Sequence, residues 1–252
     1  TFKEEEFSIE TKENETFTSK MAIGAFGKRS MLDVKMQRNF IKHKSPYLGV
    51  KMHVKGTFKE NTVALHNFKG GYCGVSKVEK DHINLCYITN FSSFKEYKNI
   101  EDFQEQVVFK NQFLKELFKN TTTVFEAPLT IGQISFETKS PVENHLLMCG
   151  DSAAMIHPLC GNGMSMAIRS AQIASSLLLD YFDGKISTRK ELEKSYIREW
   201  NKNFKMRLKV GHFIAMLFRK DTIAEILLQV LKKLPFLLPI IIKQTHGKPM
   251  KI

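Results

Sequence analysis

Apolar and polar residues alternate along the first part of the chain, which is typical of β-strands. Residues 7–11 and 15–18 alternate on either side of the turn-like sequence Lys12-Glu13-Asn14, and this pattern predicts a β-hairpin. A short apolar strand at 21–23 follows and runs into residues 24–30, where two glycines permit a tight backbone turn. This turn is the first candidate site loop.

The next hundred residues predict a β-sheet followed by a helix. The predicted strands are rich in Val, Ile, Tyr, Phe and Thr and are separated by polar or glycine-containing turns; they cover 48–54, 62–67, 72–78 and 83–89. Their even spacing predicts an antiparallel meander. Apolar residues at helical spacing then predict a helix over 103–118, and residues 125–136 are predicted to be extended.

The second half of the chain predicts helices. Residues 164–181 are small or apolar on all sides, which predicts a buried helix that ends at Asp183-Gly184. A capping box at Thr188-x-x-Glu191 opens a long helix with an apolar residue at every fourth position, namely Leu192, Tyr196, Trp200, Phe204 and Leu208. A second box at Thr222-x-x-Glu225 predicts the last helix, which Pro235 closes.

Composition narrows the class of protein. With 42% hydrophobic and 25% charged residues the chain is typical of a globular protein, and its longest apolar runs fall short of the ~20 residues of a spanning helix. The net charge is 38 − 26 = +12, but the basic residues are scattered without a nucleic-acid motif, so no nucleic-acid partner is predicted. The four cysteines form no CxxC pair, which predicts reduced thiols, no metal site and a cytoplasmic location.

The strongest candidate for chemistry is the stretch 146–167. It has the order strand, acidic residue, glycine-rich loop, helix. Asp151 at the carboxyl end of a strand is placed to accept hydrogen bonds from sugar-like hydroxyls, and Gly161 and Gly163 let backbone N–H groups approach a ligand closely. The helix that follows directs its positive dipole end at the same place.

These residues resemble a known family. GDSAAMIHPLCGNGMSMAIRSAQIA is similar to GDxAxxxxPxxGxGxxxAxxxA, the second flavin-binding motif of the FAD-dependent reductases and monooxygenases that include geranylgeranyl reductase and p-hydroxybenzoate hydroxylase. The resemblance implies that Asp151 binds the ribityl chain of FAD. It also implies that the isoalloxazine ring is lined by Pro158, Gly161, Asn162, Gly163 and Met164.

A second segment, residues 23–30, resembles the (G)ADGxxSxxR segment of the same family, with Phe26 where Asp is usual. This likeness implies that Gly27 and Ser30 touch the pyrophosphate region of FAD. The fold implied is α+β: the remainder of a FAD-binding Rossmann-type domain like that of glutathione reductase, an inserted antiparallel β-sheet substrate domain and a helical C-terminus. The corresponding divisions are 1–38, 39–142, 143–186 and 187–252.

The resemblance implies an oxidoreductase, either a reductase or a monooxygenase, that passes hydride from NAD(P)H through FAD to a hydrophobic organic substrate. The chain has no GxGxxG motif and begins with Thr1, so we expect an N-terminally truncated chain that is inactive alone. The competing interpretation is a non-enzymatic module that binds a lipid or a partner chain, or a decayed fragment that holds no flavin.

Three further features each leave two interpretations open. His157 is a candidate proton-transfer residue beside the flavin ring, or a residue that packs and positions the loop. Tyr72 is a candidate substrate contact, or a hairpin tyrosine that packs. The apolar, lysine-rimmed segment 227–251 is a candidate for peripheral contact with the inner face of the membrane, or a helix packed on the core.

Overall fold

The computed structural model describes residues 1–124, 126–218 and 221–246. The strands are β1 Phe2–Lys3, β2 Glu6–Glu10, β3 Thr16–Ser19, β4 Ile23–Gly24, β5 Tyr47–Lys55, β6 Val63–Phe68, β7 Gly71–Lys77, β8 His82–Asn90, β9 Thr122–Thr123, β10 Leu129–Ile131, β11 Val142–Glu143 and β12 Leu146–Met148. The helices are α1 Met31–Lys35, α2 Phe91–Phe94, α3 Ile100–Gln106, α4 Gln112–Lys119, α5 Gly163–Phe182, α6 Arg189–Phe218, α7 Asp221–Lys233 and α8 Leu237–His246.

The chain divides into two compact units, each of which mixes helices and β-sheet. The first unit comprises Thr1–His43, Phe136–Met216 and Leu228–Ile252, and the second comprises Lys44–Ser135 and Leu217–Leu227. Within the second unit the large sheet has the strand order β10-β5-β8-β7-β6, and β9 also pairs with β5. The prediction of a simple meander is correct for β6, β7 and β8 but wrong for β5, which pairs with β8 from Tyr47↔Asn90 to Lys55↔His82.

One face of the large sheet carries the core of the second unit. Alternate residues of β5 and β8 are buried, and they pack with apolar residues of α3, α4 and the turn between them, such as Phe103, Val108 and Leu114. The single helix predicted over 103–118 is wrong, because the backbone breaks near Val107 and Asn111 then starts α4 by accepting a hydrogen bond from the N–H of Leu114. Phe125, the start of the predicted extended segment, lies outside the described residues.

The first unit is built on two small sheets. The predicted hairpin is confirmed, because β2 and β3 pair antiparallel from Phe7↔Ser19 to Glu10↔Thr16. The other sheet has the order β11-β12-β4, and β12 runs parallel to β4 in the register Leu147↔Ile23 and Met148↔Gly24. This parallel pair determines where the candidate site lies.

Two long helices pack behind this sheet. The predicted four-residue spacing of α6 is confirmed, with Leu192, Tyr196, Trp200 and Phe204 all buried, and the Tyr196 hydroxyl donates a 2.6 Å hydrogen bond to the backbone oxygen of Met148. The prediction that α5 is buried all round is wrong. Only one stripe is buried, and the exposed apolar residues of α5 are Met164, Ile168, Leu179 and Phe182.

The C-terminal region holds one helix more than predicted. Asp221–Lys233 forms the expected helix before Pro235, but Leu237–His246 then forms α8. Many apolar side chains of this region are exposed, including Ile226, Leu228, Phe236, Leu238 and Ile240. Among the described residues, no helix combines the length and the apolar character needed to cross a bilayer.

Candidate functional site

Both loops singled out by the sequence leave the same edge of the parallel strand pair. Residues 24–30 follow β4, and the loop that begins at Cys149 follows β12. The N–H of Cys149 continues the pairing by donating to the oxygen of Gly24 at 2.9 Å. Ligands of open α/β sheets bind outside the carboxyl ends of parallel strands, so the pairing places both loops where a ligand is expected.

Ser152 fastens the two loops to each other. Its buried hydroxyl accepts a hydrogen bond from the N–H of Gly27 at 2.9 Å and donates one to the oxygen of Gly27 at 3.2 Å. Gly27 has a φ of +82°, which favours glycine, and a side chain there would meet no atom within 4 Å. The backbone of Gly27 therefore borders open space directly beside the Asp151 turn.

A buried ion pair supports the first loop from behind. Arg38 donates to the carboxylate of Asp33 at 2.8 Å and to the backbone oxygen of Ser152 at 2.9 Å. Asp33 also accepts from the N–H of Ser30, while the Ser30 side chain accepts from the N–H of Leu32 and so caps α1. Ser30 thus has both a structural role and a position on the candidate loop.

Lys139 joins the same two loops through a second set of contacts. Lys139 is only 7% exposed, and its ammonium group donates to the backbone oxygens of Lys28 at 2.8 Å and Asp151 at 2.7 Å. It also lies 4.3 Å from the centre of the Phe40 ring. Burial lowers the pKa of Lys139 to about 8, an effect that the neighbouring Asp33 opposes.

Asp151 lies in a single turn of 3₁₀ helix, Gly150–Ser152, and is half-buried. Within the described residues its carboxylate accepts no hydrogen bond. Two nearby lysines, Lys139 and Lys28, act on it through their charge. Burial raises the pKa of Asp151, and these two lysines partly offset the rise. A partly desolvated carboxylate that lacks donors is a site that hydroxyl groups of a ligand would satisfy.

The glycine-rich loop offers open backbone at the start of α5. Gly161 has a φ of +62°, and a side chain at either Gly161 or Gly163 would meet no atom within 4 Å. Pro158 begins the 3₁₀ turn Pro158–Cys160 and is exposed, as is Met164 in the first turn of α5. The free N–H groups at the start of this 20-residue helix favour negative charge in the same place.

Asn162 precedes α5 but does not cap it with its side chain. Its amide donates instead to the backbone oxygens of Thr245 at 2.8 Å and His246 at 3.4 Å, and its oxygen bonds to Ser165. The side chain therefore ties the loop to α8. What Asn162 offers to a ligand is its backbone.

His157 is buried at the start of the same loop. Its Nδ1 accepts from the N–H of Leu159 at 3.3 Å, which places its proton on Nε2, and its ring lies 4.6 Å from that of Phe136. Burial, together with the nearby His212, lowers the pKa of His157 to about 4. The imidazole is therefore neutral near pH 7 and caps the 3₁₀ turn.

Tyr72, the candidate substrate contact, lies in the other compact unit. It is a buried residue of β7, paired with Ile88 of β8 and Asn67 of β6. Its candidate role stays a prediction.

Three side chains that hold the two loops together were not predicted as site residues. Lys139 lies outside both motifs, Ser152 stands at a variable position of the Asp151 motif, and Arg38 lies only loosely where the final Arg of the second segment would fall. Basic residues are, in general, expected at the surface. Gly211 was also missed: a side chain there would approach the Cys160 sulfur to 3.0 Å, so this glycine lets α6 pack closely against the loop. A glycine inside a 30-residue helix is a signal that sequence inspection can detect, since glycine weakens helices unless close packing requires it.

The fold is that of FAD-dependent monooxygenases and halogenases. The flavin-dependent brominase Bmp2 superposes with a TM-score of 0.71 at 18% identity, over 92% of this chain and 58% of the brominase. A flavoprotein/dehydrogenase from Cytophaga hutchinsonii gives a TM-score of 0.68 at 14% identity, over 89% and 56% of the two chains. PqsL, a probable FAD-dependent monooxygenase from Pseudomonas aeruginosa, gives a TM-score of 0.60 at 14% identity, over 86% of this chain and 61% of PqsL. The predicted fold class is confirmed.

Sequence comparison points in the same direction. Residues 109–221, which contain the whole Asp151 loop, match the family model of squalene epoxidase. Conditioned medium factor receptor 1 of Dictyostelium discoideum is 27% identical over 150 residues, which make up 58% of this chain and 27% of that protein. The chain thus spans about a quarter of that relative and 56–61% of the three solved structures named above. The finer likeness to geranylgeranyl reductase and p-hydroxybenzoate hydroxylase stays a prediction.

Proposed function

We propose that this chain belongs to an FAD-dependent oxidoreductase of the monooxygenase type. The observation that carries the proposal is the position of Asp151: a half-buried carboxylate without a hydrogen-bond donor among the described residues, at the edge where two parallel strands end. The fold shared with FAD-dependent monooxygenases and halogenases supports the same conclusion, as does the match to the squalene epoxidase family model.

The residues present fit a flavin. The hydroxyls of a ribityl chain are the donors that the Asp151 carboxylate lacks, and the open backbone at Gly161 and Gly163 accommodates a flat ring. Gly27 and Ser30 border the same edge, and we assign them to contacts with the pyrophosphate region of FAD. The sequence has no GxGxxG turn, so the glycine-rich turn that holds the diphosphate in Rossmann-type folds is assigned to no residue of this sequence.

FAD would supply the redox chemistry, taking hydride from NAD(P)H and passing reducing equivalents to a hydrophobic organic substrate or to O₂. The protein supplies the environment. The uncapped N-terminus of α5 favours the negative charge of a reduced ring. We assign His157 to holding the loop in shape rather than to proton transfer, because its pKa of about 4 makes it a weak base.

The exposed apolar residues of α7 and α8 support peripheral membrane contact as part of this proposal. Leu228, Phe236 and Ile240 are exposed, with Phe236 in the short connection between the two helices, and Lys232 and Lys233 end α7. An apolar surface with a cationic rim is suited to an anionic bilayer surface, where hydrophobic substrates dissolve.

The direct test is to purify the protein as its natural gene encodes it and to measure bound flavin by its visible spectrum. We expect a flavin that NADPH or NADH bleaches without oxygen, and that regains its colour when O₂ is admitted. Product analysis with and without O₂ then separates a monooxygenase from a reductase. A colourless protein that does not bind added FAD would contradict the proposal and favour a non-enzymatic binding module.

A further inference from the structure

A cavity of about 490 Å³ lies in the first unit, between α6, the loop after Asp151 and the segment that contains Lys139. A volume of this size accommodates a typical small organic ligand. Its apolar lining includes Phe136, Met155, Trp200 and Leu208. None of the residues assigned to flavin contributes to this lining.

The charges at the cavity are unbalanced. Lys139, Lys205 and Lys209 line it, against a single carboxylate, that of Glu137. Lys205 and Lys209 are one helical turn apart, and neither forms an ion pair with any residue in the described part of the chain. Like charges at this spacing weaken a helix slightly, and a bound anion would remove that cost.

We propose that this cavity binds an amphiphilic carboxylate, with its apolar body against Trp200 and Leu208 and its head group between Lys205 and Lys209. The mixed lining supports this class of ligand. The apolar lining residues would contact a hydrocarbon or aromatic body, and the few charged groups would select the head group. A neutral hydrocarbon would make no contact with the charges of Lys205 and Lys209, which are exposed at the side of the cavity, and an inorganic anion would leave the apolar lining unfilled. The inference does not depend on flavin binding.

Trp200 is the single tryptophan of these 252 residues, so its fluorescence reports on the cavity directly. The protein, as its natural gene encodes it, is titrated with dodecanoate below its micelle-forming concentration. We expect a saturable change in Trp emission, and a much weaker response to 1-dodecanol and to dodecyltrimethylammonium. In a Trp200→Phe variant the emission change disappears while calorimetry still detects binding.

Variants of the two lysines test the head-group contact. Lys205→Ala/Lys209→Ala should weaken dodecanoate binding about tenfold. Lys205→Arg/Lys209→Arg keeps both positive charges and should bind dodecanoate about as tightly as wild type. The matched control is Lys190→Ala/Lys194→Ala, which removes an exposed lysine pair of the same spacing from the same helix, away from the cavity. No saturable binding, equal binding of all three head groups, or equal weakening in the control pair would overturn the inference. A protein that holds no flavin but binds dodecanoate would contradict the proposed function and would leave the inference about the cavity standing.

Discussion

The hydroxyl of Ser152 bonds to both backbone groups of Gly27, accepting from its N–H and donating to its oxygen. The two residues are 125 positions apart in the chain. One side chain thus links the loop after β4 to the loop after β12, and the proposed ligand edge depends on this link.

Replacing Ser152 with Ala should lower the free energy of unfolding by about 1–3 kcal/mol, because the partly buried N–H of Gly27 loses its acceptor. The measurement is urea denaturation. Ser8→Ala, at an exposed position of β2, is the control and should change the free energy of unfolding by less than about 0.5 kcal/mol. Similar losses of unfolding free energy in the two variants would mean that the hydrogen bonds between Ser152 and Gly27 do not stabilise the fold.

Arg38→Met should destabilise the protein by about 3–5 kcal/mol, since it leaves the carboxylate of Asp33 buried without its cation. Arg198→Met removes an arginine that is 72% exposed and 3.6 Å from Glu199, and should cost less than about 1 kcal/mol. The double variant Asp33→Asn/Arg38→Met should lose less than the sum of its single variants. Additive losses would contradict a coupled buried pair.

Lys139 should make stability rise with pH in the alkaline range. Burial lowers its pKa from 10.5 when unfolded to about 8 when folded. Between these values the unfolded state binds more protons, so the free energy of unfolding gains up to about 3 kcal/mol as pH rises from about 8 towards 10.5.

Lys139→Met removes this titration. The difference between the two proteins isolates it from the contribution of the cysteines, whose pKa values burial raises in the folded protein. Denaturation curves at several pH values provide the measurement. If wild type and Lys139→Met keep a constant difference in stability across this range, the ammonium group is not buried as described.

Gly211→Val should destabilise the protein by about 1–3 kcal/mol, because the added side chain meets the Cys160 sulfur and Ile156. Met206→Val, at a position 64% exposed on the same helix, introduces the same β-branched residue without that contact and is the control. Adding Cys160→Ala to Gly211→Val should restore part of the loss. An equal loss in the presence and absence of the cysteine sulfur would exclude contact with Cys160 as the cause.

Local patterns predicted most of the elements of the fold but not their pairing. Alternation located the hairpin and the strands β5 to β8, and four-residue spacing located α6. The pairing of β5 with β8 rather than β6 depends on contacts between distant segments, which alternation does not encode. The break before α4 was detectable, because Asn111 is a favoured N-cap residue within the predicted helix.

The candidate site was predictable only in part, for a similar reason. The motif around Asp151 and the loop at 24–30 were visible as separate signals, and only the parallel pairing of β4 with β12 brings them to one edge. Lys139 gave no signal, and Arg38 matched the Arg position of the second segment only loosely, because buried basic residues are identified by their partners. Lys139 donates to two backbone oxygens, and Arg38 donates to a carboxylate and to backbone oxygens. Those partners are defined by the folded chain.

The most direct test of the account is the flavin content of Asp151→Ala, measured beside wild type and Asp81→Ala in protein produced from the natural gene. Asp81 is an exposed carboxylate of the second unit and serves as the control. We expect wild type and Asp81→Ala to retain flavin equally, and Asp151→Ala, with an unchanged circular dichroism spectrum, to bind it at least about tenfold more weakly. Equal flavin content in all three proteins would contradict the assignment of Asp151 to the cofactor.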